Sequence, residues 1–340
     1  MLNRRHRESG KLNIFILFFT INIEPKIERV YLMKAIVVEE AGHTDDFMEK
    51  EIDKPQVNAD DVLIEVHAAS VNPVDNAIRK GLMPFKLESP MILGTDISGV
   101  VAEVGENVTE FAVGDEVFTS YKLNRGGGLA EFVSIPEKYV LKKPENVSFE
   151  EASALGIAAL TAYQLVNKES YEVKAGETVF VQGGSGGVGT YTVQFAKQNG
   201  AHVIATTSRN EALLESLGVD EVVNYKEVDV AEVYANKANK LIDTVGQGTA
   251  TLPVVVEGGR AITPAAPIAE DKAAERNITI DRLVYEINTD QLKKFADQVA
   301  NGELKAVIDE VFPFTEDGVK KAYDLSESGH AAGKIVIKVK

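Results

Sequence analysis

VQGGSGGVG, residues Val181 to Gly189, decides the fold. Five glycines in nine positions make poor strand or helix, because glycine loses the most conformational freedom on ordering. Something requires the chain to turn tightly or to approach another group closely. Gly184, Ser185, Gly186, Gly187, Val188 and Gly189 fit G-x-G-x-x-G, a pattern that glycine clusters also match by chance. Its setting adds weight. The apolar strand "TVFVQ" runs in, the helix "TYTVQFAKQNG" runs out to a stop at Gly200, and the strand "HVIATT" follows. That is a dinucleotide-binding βαβ unit. In this reading Gly184 permits the tight turn, Gly186 lets backbone approach a pyrophosphate, and Gly189 allows close helix–strand packing. The helix N-terminus offers its N–H groups to the phosphates. A flexible surface loop is the alternative.

Outward from this unit, strands and helices alternate: "NEALLESLG", "EVVNY", "LIDTV", "RAIT", "NITI" and the helix "TDQLKKFADQVANG". Alternation of this kind builds a parallel sheet with helices on both faces. Upstream, from Met33 to about Tyr139, short Val/Ile-rich strands are punctuated by Gly, Asp, Asn and Pro, which reads as a barrel-like all-β unit. The change falls at Ser148, where "SFEE" is a capping box opening the run "ASALGIAALTAYQLVNK". The final strand, "GKIVIKV", belongs with the first half. The expected layout is 33–155 with 290–340 as the barrel-containing catalytic domain, and 156–289 as the nucleotide-binding domain.

At 340 residues the chain exceeds the roughly 250–300 that one core usually serves, which fits two domains. A net charge of −16 argues against nucleic acid as a partner. There is no cysteine, hence no disulfide or thiolate chemistry, which suits the cytoplasm. Residues 1–32 differ in carrying six Lys and Arg against three Glu, with an apolar run from Leu12 to Ile23. That run is shorter than the ~20 residues a bilayer span needs, and no stable membrane insertion is expected. Translation is expected to start at Met33, with 1–32 a non-native or disordered extension. A surface anchor or signal peptide is the alternative.

The second strand ends in "ATTSRN", where NAD sites place an acidic residue. Ser208 and Arg209 suit the 2′-phosphate of NADP(H) instead. Alternatively Glu211 is the acidic residue and the cofactor is NAD(H).

The order of these elements resembles the medium-chain dehydrogenase/reductase superfamily, and within it the zinc-independent, zeta-crystallin-like quinone oxidoreductases. The resemblance runs from Met33 to Lys340 on "HAASVNPVDNAIRKG" (67–81), "LGTDISGVVAEVG" (93–105), "FAVGDEVF" (111–118), "LTAY" (160–163), "GGSGGVG" (183–189) and "GKIVIKV" (333–339). It implies a GroES-like β-barrel domain, a Rossmann doubly wound domain and an active site between them. Where zinc-dependent members supply Cys and His, this chain has Asn72 and Thr95, with Asp96 in the place of the family's Glu. Catalytic zinc needs three protein ligands. His43, His67, His202 and His330 show no ligand spacing, so no metal is expected. The acceptors then are small molecules whose reduced form stabilises negative charge unaided, quinones or α,β-unsaturated carbonyls. The resemblance further implies that Asn72 and Thr161 orient the nicotinamide end, and that Val245, Gly246 and Thr263 line the channel. It sets Tyr225 near the adenosine phosphate and Lys334 near the cofactor. The plainer alternatives are a packed Thr161, a core Tyr225 and a solvated Lys334. Two departures are Met83, where some relatives carry a pocket tyrosine, and Ala332, where relatives often carry Arg. Tyr139 and Lys143 have short-chain dehydrogenase spacing but precede the glycines. A homodimer is expected. The competing function is a nucleotide-sensing or RNA-binding relative without turnover.

Overall fold

The computed structural model describes residues 31–42, 46–85 and 87–340. The extension expected at 1–32 lies almost wholly outside these residues, as does His43.

The glycine turn sits on a six-stranded, all-parallel sheet. Its strands are β8 (Thr178–Gln182), β9 (His202–Thr207), β10 (Glu221–Asn224), β11 (Ala238–Asp243), β12 (Val255–Thr263) and β13 (Thr279–Arg282). They lie in the order β10-β9-β8-β11-β12-β13, the doubly wound pattern in which the chain reverses direction beside the first strand. Val179, Phe180, Val181, Val203, Ile204, Leu241, Ile242 and Ile262 are buried, because helices cover both faces and leave no polar side to alternate with. The covering helices include α3 (Gly187–Gln198) and the shorter α4 (Glu211–Ser216), α5 (Val230–Val233), α6 (Gly248–Thr251) and α7 (Glu270–Ala274).

The first half is antiparallel. β1 (Leu32–Val38) pairs with β2 (Phe47–Asp53). A seven-stranded sheet joins β3 (Asp61–Val71), β4 (Asp96–Val104), β5 (Glu116–Ser120), β6 (Phe132–Pro136), β7 (Val140–Lys142), β14 (Ile308–Pro313) and β15 (Lys334–Lys338). The closing strand β15 lies antiparallel to β3, with Ile335 opposite Val71. A short helix, α1 (Pro73–Arg79), follows β3 directly and packs near α9 (Glu316–Ser328).

Helix α2 (Phe149–Asn167) joins the two sheets. Its capping box forms as the sequence requires: Glu151 N–H donates to Ser148 Oγ at 3.1 Å, and Ser148 N–H to Glu151 Oε2 at 2.9 Å. Gly156 then leaves helical geometry (φ −18°, ψ −120°), splitting α2 at the position where the two domains were expected to meet. Helix α8 (Thr289–Ala300) buries Leu292 and Phe295 in the same apolar cluster as Val193 and Phe195 of α3, so it packs beside the parallel sheet. The chain re-enters the seven-stranded sheet only at β14, which pairs in parallel with β15. Residues 32–340 form one compact unit.

Candidate functional site

The residue with left-handed backbone in the glycine turn is Gly183 (φ +77°), one position before the Gly184 expected for it. Gly184 serves close packing instead: a Cβ there would lie 2.7 Å from the Ala205 methyl. Gly186 is the N-cap of α3. A Cβ on Gly189 would overlap the Gly183 carbonyl, so the third glycine lets the helix sit on the turn. The first intrahelical bond runs from Thr190 N–H to Gly186 C=O. The amides of the first helical turn therefore have no acceptor within the helix. The end of β9 holds this turn in place. Gly183 N–H donates to Thr206 Oγ1 at 2.9 Å, and Ser185 Oγ lies 3.0 Å from Thr207 Oγ1. Thr207 Oγ1 also accepts Asn210 N–H at 3.1 Å, tying the glycine turn to the Ser208–Asn210 turn.

A cleft of about 890 Å³ opens beyond the C-terminal ends of β8, β9 and β11, facing the barrel strands β3 and β15. Its volume lies in the range of small-molecule and cofactor sites. Ser185, Gly186, Gly187 and Val188 line it together with Ser208, Tyr225 and Val245, and Asn72 and Lys334 line it from the barrel side. Tyr225 is 47% exposed, which rules out a core role. Gly184, Gly189 and Gly246 stand behind the wall as structural supports. Thr263 is buried, with its Oγ1 accepting Ala265 N–H at 3.0 Å. Thr161 is also buried, one turn past cleft-lining Ala158 on the same face of α2. Arg209 lies outside the cleft lining and donates its NH2 group to the His330 carbonyl at 2.8 Å.

The inner end of the cleft is built from buried polar groups. Lys334 is 3% exposed, which excludes a solvated edge charge. Its ammonium donates to Asn72 Oδ1 at 2.5 Å and to the Val71 carbonyl at 3.1 Å. Burial pushes this ammonium below its ordinary pKa, against the opposing pull of Asp96 and Asp75. Asn72 is the N-cap of α1, and its Nδ2 donates to Asp96 Oδ2 at 2.8 Å. Asp75 accepts Asn72 N–H at 2.8 Å, while its other oxygen is buried without a partner. Burial, reinforced by the Asp96 charge, raises the Asp75 carboxyl to about 7.

Sequence reasoning missed Asp75 and two further carboxylates that shape this site. Asp96 was noted only for standing in the place of a glutamate. Asp243, at the end of β11, accepts the N–H groups of Val245, Gly246 and Gly248 at 3.0, 3.0 and 2.6 Å. It thereby fixes the loop expected to line the channel. The signal for Asp243 was available, since Asp at a strand end folds the following backbone onto itself.

Among the described residues, no group of three His, Cys, Asp or Glu side chains is arranged to hold a metal. No described helix is long and apolar enough to cross a membrane.

Residues 58–145 match the family described as alcohol dehydrogenase GroES-like domain, and residues 217–337 that described as zinc-binding dehydrogenase. The 2-methylene-furan-3-one reductase of Solanum lycopersicum is 36% identical over 302 residues, covering 85% of this chain and 74% of the relative. The chain belongs to the medium-chain dehydrogenase/reductase superfamily, in its quinone oxidoreductase branch. This oxidoreductase is also 33% identical to the NADPH-dependent alkenal/one oxidoreductase, chloroplastic, of Arabidopsis thaliana, over 90% of this chain and 79% of the relative. Among solved structures, the quinone oxidoreductase from Coxiella burnetii superposes with a TM-score of 0.83 at 30% identity, covering 91% of this chain and 100% of that one. Both sheets of the medium-chain fold are thus represented.

Proposed function

We propose that this oxidoreductase is an NADPH-dependent reductase acting on quinones or α,β-unsaturated carbonyl compounds. One observation carries the reading: a single cleft joins the open N-terminus of α3 to a buried Lys334–Asn72 pair. The residues fit a dinucleotide. Gly186 leaves the turn open to a phosphate, since an added Cβ there meets nothing nearer than 3.4 Å. Ser208 and Tyr225 offer hydroxyls at the nucleotide end, and Arg209 adjoins them with most of its N–H donors free of His330. A nicotinamide supplies hydride when bound. The protein's part is to hold the pyrophosphate, to orient the ring end through Asn72 and Lys334, and to exclude water with Val71, Ala158 and Ile335. With Asn72 and Thr95 where zinc-dependent members supply Cys and His, acceptors that bear negative charge unaided are favoured. We further propose a homodimer located in the cytoplasm.

The test is an oxidation screen with NADPH over benzoquinone, phenanthrenequinone and a series of enones, repeated with NADH. Turnover with NADPH, at a higher kcat/KM than with NADH, is the expected result. A preference for NADH overturns the reading of Ser208 and Arg209. Cofactor binding without turnover across the whole series supports a nucleotide sensor instead.

A further inference from the structure

Asp96 is fully buried at the start of β4, and four residues donate hydrogen bonds to it. Ser120 Oγ donates at 2.6 Å, Asn72 Nδ2 at 2.8 Å, Ser70 Oγ at 3.4 Å, and Ile157 N–H at 3.1 Å to each oxygen. Its two oxygens have the acceptor sites to take these hydrogen bonds together. In an unbroken helix, Ile157 N–H would bond the carbonyl four residues back. The break at Gly156 frees it for Asp96, and a Cβ at Gly156 would overlap that carboxylate. The second half of α2 therefore begins on Asp96, as a helix begins on an acidic cap.

The same carboxylate settles which way the Asn72 carboxamide faces. Its NH2 points at Asp96 and its oxygen at the Lys334 ammonium. Reversing it would set NH2 against ammonium and carbonyl against carboxylate, so the two charges permit one orientation. We propose that Asp96 is a positioning residue: it locks Asn72 so that the carboxamide oxygen holds Lys334 at the cleft wall. This deepens the reading of the cleft as an NADP(H) site and rests on it. The titratable groups that sense Asp96 are Lys334 on β15, Asp75 on α1, Tyr191 on α3 and Tyr285 in the loop after β13.

The test combines calorimetric NADP+ binding with hydrogen exchange of the Asn72 side-chain amide. Asp96→Asn and Asn72→Ala are each expected to weaken NADP+ about tenfold, as loss of a charged hydrogen bond does. The double variant is expected to bind no more weakly than Asn72→Ala alone, because Asp96 acts through Asn72. Additive losses overturn the proposal. Asn72→Asp keeps Asp96 and tests it separately. Two carboxyls in contact share one proton at pH 5 and are driven apart as that proton leaves toward pH 8, so its NADP+ affinity is expected to fall at least tenfold over that range relative to wild type. A profile parallel to wild type overturns the lock. In the cofactor-free protein the Asn72 Nδ2 protons are expected to exchange slowly, and rapidly in Asp96→Asn. Equal exchange overturns the lock even where NADP+ binds normally. Slow exchange in a wild type that binds no NADP+ upholds the lock and overturns the cofactor reading.

Discussion

At the scale of single residues, Asp75 is an acid held far from water. It is wholly buried, one oxygen has no partner, and its carboxyl titrates at about 7, against 3.8 for an unperturbed aspartate. The folded protein therefore favours the protonated form more than the unfolded chain does. The stability this contributes is complete below about pH 4 and is lost as the pH rises through 7. Asp75→Asn, which carries no charge, removes that dependence. Between pH 5 and pH 8 the wild type is expected to lose stability relative to the variant, by a ceiling of about 3 kcal/mol. Urea denaturation of both proteins at the two pH values measures the difference. Curves that shift in parallel count against a buried, titrating Asp75.

At the scale of elements, the bend in α2 rests on one glycine and one carboxylate. Gly156→Ala places a methyl where Asp96 lies, and neither backbone nor buried side chain has room to yield. The expected cost is ~3 kcal/mol or more, read as a lower denaturation midpoint with unchanged slope. A loss under about 1 kcal/mol would mean that the bend survives without the close approach. Local pattern made α2 legible at its start, since Ser148 and Glu151 announce a capping box. The bend was not legible, because "SALGIAAL" reads as unbroken helix until Asp96 arrives from 60 residues away. Strands with alternating or continuous Val and Ile were readable. β2 was not, since "FMEKEID" alternates around charged residues and buries only Phe47. α9 was missed although Thr315 caps it, its Oγ1 accepting Gly318 N–H at 3.1 Å. Its sequence is mostly polar, and its buried Val319, Ala322 and Tyr323 make a narrow stripe. The site followed the same rule. The glycine turn is contiguous and was read from sequence, whereas Asp96 draws its partners from residues 70, 72, 120 and 157.

At the scale of the whole molecule, Arg209 stands at the end of β9 and reaches the His330 carbonyl just beyond α9, so one exposed hydrogen bond crosses between the parallel sheet's turn and the barrel side. A guanidinium has five N–H donors, and a phosphate at the nucleotide end needs only two of them. Phosphate recognition and the tie to His330 are therefore compatible. Their energetic signatures differ. Loss of a phosphate contact raises KM for NADPH alone, because NADH lacks the 2′-phosphate and reports only the remainder of the site. Loss of a structural tie would lower turnover with both cofactors and reduce thermal stability. Arg209→Ala is expected to raise KM for NADPH about tenfold while leaving kcat and the KM for NADH within about twofold. Its melting temperature is expected to stay within a few degrees of wild type, since an exposed hydrogen bond contributes only about 1 kcal/mol. Steady-state kinetics with both cofactors, alongside thermal melts, separate the two. Equal losses with NADPH and NADH would assign Arg209 to the junction between the sheets and return the 2′-phosphate to Ser208 and Tyr225.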